Sequence, residues 1–430
     1  MMLKKSFTAK RAKNAKILLN NSSRTLRSSR LMVLLVVAVS MLMNAKQVQG
    51  QGGIALENVG AAVAFGEQIA FNATIRTSVP IQSAAIVIFD EGHGVTQVQP
   101  LTIQADGATQ FIFDARQNVL KPFAYVRWHY EFTLADGSVI QSETYSVRYD
   151  DTRFSWQKLE SNGLRVFWYA GDSTFAQNAM NAALAGTRAI NEIFPIDLNQ
   201  PIDIFIYSSQ NDLAFLGAET WTAGHANAAL GVVLVAIEPS LDQSLQMDRR
   251  IPHELMHVLL YRHIGAGYNN LPAWLREGLA TMVEINPTSE YDRVLLDAHT
   301  RGNLIPLLDV CDSFPVQPDS AFLAYAESRS FTAYLRNTFG SSKFLELSRS
   351  YADGITCERG IEATYGTSLA QLELRWREST FGENGWGVAL RSMFPYLLLC
   401  GLVLGIPLLI GFNAMKKNDV IASLREAISS

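Results

Sequence analysis

The sequence predicts an α+β protein. An N-terminal antiparallel β-sandwich of immunoglobulin or fibronectin type comes first, then a domain that begins with strands and ends in helices, and then one C-terminal transmembrane helix. Three observations predict it. Between Tyr125 and Phe132 apolar and polar residues alternate with the period of a half-buried strand. Beyond about residue 155 the apolar spacing lengthens to that of helices. Residues 388–412 form an apolar run long enough to cross a bilayer.

The sandwich is expected over residues 54–152. In its clearest stretch Val126, Trp128, Tyr130 and Phe132 alternate with Arg127, His129 and Glu131, and Asp136-Gly137 supplies a hairpin turn. Several such strands at spacings of about ten residues suit two packed antiparallel sheets. No catalytic constellation stands in this region, and His93 and His129 read as structural or surface groups.

The second domain is expected over residues 155–380. "LRVFWYAG" (164–171) and "IDIFIYSS" (202–209) read as strands flanking a helix from Ser173 to Ile193, and "ALGVVLVAIEP" (229–239) as a further strand. The chain from there to about residue 380 reads as mostly helical.

The two ends bear on location. Residues 1–30 are rich in Lys and Arg with no acidic residue, and the apolar run 31–43 comes directly after. Residues 1–50 therefore read as a signal peptide with a cut after Gly50, or as an uncleaved N-terminal anchor. After the apolar run 388–412 come Lys416 and Lys417, which predict a short cytoplasmic tail over 413–430 and an extracytoplasmic remainder. The expected location is the cell membrane, with a single-pass C-terminal anchor. Cys400 lies in the predicted span, which leaves Cys311 and Cys357 as the candidate disulfide pair outside the cytoplasm. A net charge of -4 offers no electrostatic case for nucleic acid.

The chemistry concentrates in "IPHELMHVLLYRHIGAGYNNLPAWLREGLATMVE" (251–284). On a helix His253 and His257 stand about 40° apart, one turn above the other, so two imidazoles can share one ion. Glu254 is rotated by about 100°, too far to ligate but near enough to touch a water beside that ion, the general-base place in H-E-x-x-H. Zinc suits nitrogen and carboxylate donors in a tetrahedron. His263 has the metzincin spacing, but Leu260 stands where that family needs glycine, and on a continuing helix His263 points away. Glu277 is the better third ligand: Gly265 and Gly267 can end the first helix, Asn269 or Asn270 can cap a second, and Pro272 suits its first turn. Pro252 implies that the metal helix starts there or is kinked.

"HELMH" followed by "PAWLREGLA" resembles the gluzincin metallopeptidases, and the peptidase MA-like group in particular. The likeness extends through "FLAYAESRSFTAYLRNTFGSSKFLELSRSYADG" and covers roughly residues 155–380. It implies one zinc ion per chain held by His253, His257 and Glu277, with Glu254 as base and proton shuttle and a peptide or protein as substrate. It also implies "GVVLVAI" (231–237) as the sheet edge beside the cleft. His225, just before that stretch, reads as a loop residue rather than a substrate contact. Tyr325 is the candidate donor to the developing oxyanion, with Arg329 one turn later as the alternative. No "GAMEN"-like segment precedes His253, which favours an endopeptidase over an aminopeptidase. Two features depart from the pattern. Thr281, a weaker partner, occupies the place where many gluzincins have an acid that orients a histidine, and Glu284, a turn further on, is not expected to compensate; Pro252 directly precedes His253 and removes a helix hydrogen bond. The expected function is a membrane-tethered extracytoplasmic zinc metallopeptidase. The alternative is a cell-surface binding or adhesion protein with a structural or vestigial zinc site.

Overall fold

The computed structural model describes residues 53–216, 224–382, 393–401 and 403. The expected signal or anchor (1–50) and tail (413–430) lie outside these residues, and the expected span (388–412) overlaps them only at 393–401 and 403, which are helical and exposed. Among the described residues no helix is long and apolar enough to cross a membrane. The chain divides into two compact units after Trp156.

The first unit holds two antiparallel sheets. One is ordered β1 (Ile54–Ala64), β2 (Gln68–Thr77), β5 (Ala108–Asp114). The other is ordered β4 (Val95–Leu101), β3 (Ile81–Asp90), β6 (Tyr125–Leu134), β7 (Val139–Gln141), with β8 (Tyr145–Arg148) also paired to β6. Strand β2 buries Ile69, Phe71, Ala73 and Ile75, while β6 buries Val126, Trp128, Tyr130 and Phe132, the face that the alternation predicts. Phe71 and Trp128 approach to 4.9 Å between ring centroids. The Tyr130 hydroxyl donates to the Asn72 carbonyl at 3.4 Å, so the two sheets are joined by packing and by a polar contact. Gly137 takes φ 82°, the left-handed turn that the hairpin after β6 requires. His93 pairs with Asp90 at 2.6 Å and His129 with Glu131 at 3.3 Å, both local structural contacts.

The second unit begins with a five-stranded sheet ordered β12 (Gly224–Asn227), β13 (Val232–Ala236), β11 (Ile202–Tyr207), β10 (Leu164–Trp168), β9 (Gln157–Ser161). The three inner strands are parallel and both outer strands antiparallel. All residues of β11 and β13 are buried, the continuous apolar pattern of strands covered on both faces. Helix α1 (Ser173–Asn191) crosses from β10 to β11, and Asp172 caps its start by accepting from the Phe175 N–H. A short helix α2 (Gln210–Ala214) follows β11.

This sheet corrects two expectations. The stretch "GVVLVAI" is not the edge: residues 224–227 turn back through a tight turn at Gly231 (φ 67°) and pair along β13, so β12 takes the outer place. His225 therefore belongs to an edge strand and not to a loop.

Helix α3 (Gln243–Ile264) carries both histidines, and α4 (Ala273–Met282) carries Glu277. Helices α5 (Glu290–Arg301), α6 (Pro318–Ala352, kinked at Gly340), α7 (Cys357–Tyr365) and α8 (Leu369–Phe381) follow. Pro252 neither starts α3 nor ends it, since the helix runs nine residues before the proline and twelve after it. Gly186 of α1 admits the ring: a Cβ there would stand 2.8 Å from Pro252 Cβ. Asn269 and Asn270 do not cap α4. They end a 3-10 turn (Gly265–Asn270), Pro272 takes the N-cap position, and the Asn270 amide donates to the Ala352 carbonyl at 3.0 Å.

Cys311 and Cys357 form a disulfide. The Ala273 N–H donates to the Cys311 carbonyl at 2.7 Å, and the Trp274 indole donates to Cys357 Sγ at 3.3 Å. The start of the Glu277 helix is therefore held at both halves of the cystine. Trp274 is fully buried against Phe331 and Tyr351.

Candidate metal centre

Helices α3 and α4 pack against each other, and their Leu255, Leu259, Leu275 and Leu279 all lie buried in the main core of the second unit. Their packing turns three side chains toward one point. His253 Nε2 lies 3.4 Å from Glu277 Oε2, and His257 Nε2 lies 3.6 Å from the same oxygen. One donor atom from each residue falls within 4.8 Å of the others. A tetrahedral zinc with bonds of about 2.0–2.1 Å has donor–donor edges of roughly 3.4 Å, so the two histidine–carboxylate distances fit the ion.

The far nitrogen of each imidazole is engaged, which leaves Nε2 for a metal. His253 Nδ1 donates to Glu284 Oε1 at 3.2 Å, and His257 Nδ1 lies 2.9 Å from the Tyr268 hydroxyl. Such contacts fix the tautomer and the ring plane. Glu284 is itself held: the Tyr291 hydroxyl donates to Oε1 at 3.3 Å, and Arg249 Nε stands 4.0 Å from Oε2. Thr281 does not assist, because its hydroxyl donates to the Glu277 carbonyl within its own helix at 2.6 Å. The orienting acid missing from position 281 is supplied at 284, where α4 has ended at Met282 and the chain has curved back under α3.

The electrostatics arise from crowding. Burial opposes the charged form of His253, but the carboxylates of Glu277 and Glu284 outweigh it and hold the imidazole up to about 10. Burial also opposes the charge on Glu277, yet the two imidazoles drive its carboxyl well below the usual range. Glu254, 8% exposed, has its carboxyl raised by burial against the lowering pull of His253, His257 and His225. Beside it lies the edge strand: a Cβ on Gly224 would stand 2.5 Å from Glu254 Oε1, so only glycine allows β12 this close to the carboxyl.

Tyr325 of α6 faces this group, its ring 5.9 Å from that of His253 and 4.9 Å from Phe314, and burial pushes its hydroxyl far up. Arg329 is drawn instead to Asp292 of α5, at 3.7 Å. His263 stacks on Phe194 at 4.7 Å and is not among the converging donors. Tyr268 is the residue that sequence reasoning missed. It sits in the 3-10 turn, where no helical spacing ties it to His257, and the aromatic residue after Gly267 was its only signal.

A sheet bordered by an antiparallel edge strand, with H-E-x-x-H on one helix and a carboxylate from the next, is the arrangement expected of a zinc metallopeptidase domain. Residues 182–382 match the family model of the Peptidase MA superfamily. Among curated proteins none matches the chain.

Solved structures with weak likeness include an M1 zinc metallopeptidase mutant from Deinococcus radiodurans, at 12% identity over 78% of this chain and 72% of that one, with a TM-score of 0.30. A two-domain M1 zinc metallopeptidase mutant bound to L-arginine matches at 11% identity over 76% and 94%, with a TM-score of 0.33. A cycloalternan-degrading enzyme from Trueperella pyogenes matches at 15% identity, over 20% of this chain and only 14% of its own length, with a TM-score of 0.16. Scores this low carry no argument about activity.

Proposed function

We propose that the protein is a zinc-dependent metallopeptidase, an endopeptidase tethered to a membrane with its second unit outside the cytoplasm. The observation that carries the reading is the convergence of His253, His257 and Glu277 on one point, with the buried carboxyl of Glu254 beside it. Zinc held by these three residues would lower the pKa of a water to about 7 and polarise a scissile carbonyl. Glu254 would take the proton of the attacking water and later deliver it to the leaving amine, and its raised pKa strengthens it as a base. The Tyr325 hydroxyl would donate to the oxyanion. Strand β12 offers an edge where a peptide can add as a further strand, aligned with Glu254 by the close approach at Gly224.

Location rests on separate support. The apolar run 388–412 followed by Lys416 and Lys417 favours a C-terminal anchor with its tail inside. The Cys311–Cys357 disulfide suits an oxidising compartment.

The test is Glu254→Gln in the full-length protein. The expected result is unchanged zinc content and loss of chelator-sensitive cleavage of a peptide library. Cleavage at the wild-type rate in this variant would refute the assignment of the base.

A further inference from the structure

Within an α-helix each N–H bonds the carbonyl four residues earlier, so a proline in the interior leaves one carbonyl without its partner. In α3 that proline is Pro252 and the freed carbonyl is that of Asp248. It is not left unpaired: the Ile285 N–H donates to it at 2.9 Å. The neighbouring side chain reinforces the contact, with Asn286 Nδ2 donating to Asp248 Oδ2 at 2.6 Å. The chain that leaves the Glu277 helix is thereby tied by its backbone to the helix that carries both histidines.

The tie falls beside the group that needs it. Glu284, adjacent to Ile285, is the residue whose carboxylate receives His253 Nδ1–H. His253 itself comes directly after Pro252. We propose that Pro252 is a positioning residue of the metal site: by lacking an N–H it reserves the Asp248 carbonyl for Ile285, and this docking holds Glu284 under His253. With alanine at 252 the helix would offer its own N–H to the Asp248 carbonyl in competition with Ile285, and the 284–286 segment would keep only the Asn286 side-chain contact to Asp248. This role goes beyond packing of the ring against Gly186, because a packing role would not depend on Glu284. The inference rests on the reading of His253, His257 and Glu277 as a zinc site, but one of its two readouts does not.

The experiment compares wild type, P252A, E284Q and P252A/E284Q as full-length proteins. Amide hydrogen exchange at Ile285, measured without metal, is expected to be at least about tenfold faster in P252A than in wild type. Zinc affinity by chelator competition is expected to fall about tenfold or more in P252A, within the range of lost orienting contacts. In the E284Q background the same proline change should alter affinity by less than about twofold, because the coupled partner is already gone. Equal protection of Ile285 in wild type and P252A would overturn the proposal. So would an affinity loss of the same size in both backgrounds. If wild type binds no zinc, the metal-site reading fails on that result, while the exchange at Ile285 still decides whether Pro252 sets the docking.

Discussion

Gly278→Ala tests how closely the third ligand depends on packing. Gly278 is the residue after Glu277 and lies where α4 crosses α6. A Cβ there would stand 2.5 Å from the Ser328 carbonyl oxygen and would also press on the Thr332 hydroxyl. The Ser328 oxygen is backbone and cannot rotate away, so α4 must retreat. Ordinary contact begins at 3.4 Å, which sets the retreat near 0.9 Å (3.4 − 2.5). Overpacking of this kind costs about 2 kcal/mol, and in a unit of this size that lowers Tm by about 4–8 °C. Glu277 moves with its neighbour. Metal-ligand distances tolerate only about 0.2 Å, so zinc affinity should fall by roughly 10- to 100-fold. Thermal unfolding of the metal-free protein and chelator competition measure the two effects independently. Wild-type values for both in Gly278→Ala would show that α4 and α6 do not meet as described, and the packing account of Glu277 would fall with them.

Two further predictions concern the same unit. Cys311→Ser should destabilise the protein by about 4 kcal/mol, as expected for a crosslink closing a loop of 46 residues, and should also weaken zinc binding because the start of α4 is held at the cystine. A normal unfolding midpoint in denaturant would refute it. Glu327 of α6 is fully buried; its Oε1 accepts from the Ile305 N–H at 2.9 Å while Oε2 has no partner among the described residues, and burial pushes the carboxyl up to about 8. The folded state therefore holds this proton more tightly than the unfolded chain. Its contribution is full below the unfolded value near 4.5 and is lost as pH rises through about 8. Glu327→Gln should flatten that loss and stabilise the protein above pH 8, by an amount on the order of a few kcal/mol. A pH–stability curve unchanged by the substitution would count against the buried neutral acid.

Much of this protein is legible in local pattern. The alternation at Val126, Trp128, Tyr130 and Phe132 marks a buried strand face because successive side chains on a strand point to opposite sides. His253, Glu254 and His257 announce their arrangement because a helix repeats every 3.6 residues, and the helix-ending glycines after them leave room for a second helix bearing Glu277. These relations are set within a few turns of chain, and no distant contact is needed to express them.

The rest depends on contacts between segments far apart in the chain, which no local period encodes. That β13 is covered by β12, that Tyr268 meets His257 from a 3-10 turn, and that Glu284 supplies the acid missing at Thr281 all result from how helices and strands pack. Pro252 shows the division most clearly. Its missing N–H is evident from the residue alone and suggests a break in the helix. Only the folded chain brings Ile285 to the freed carbonyl, so tertiary packing satisfies the backbone group and the helix continues through the proline.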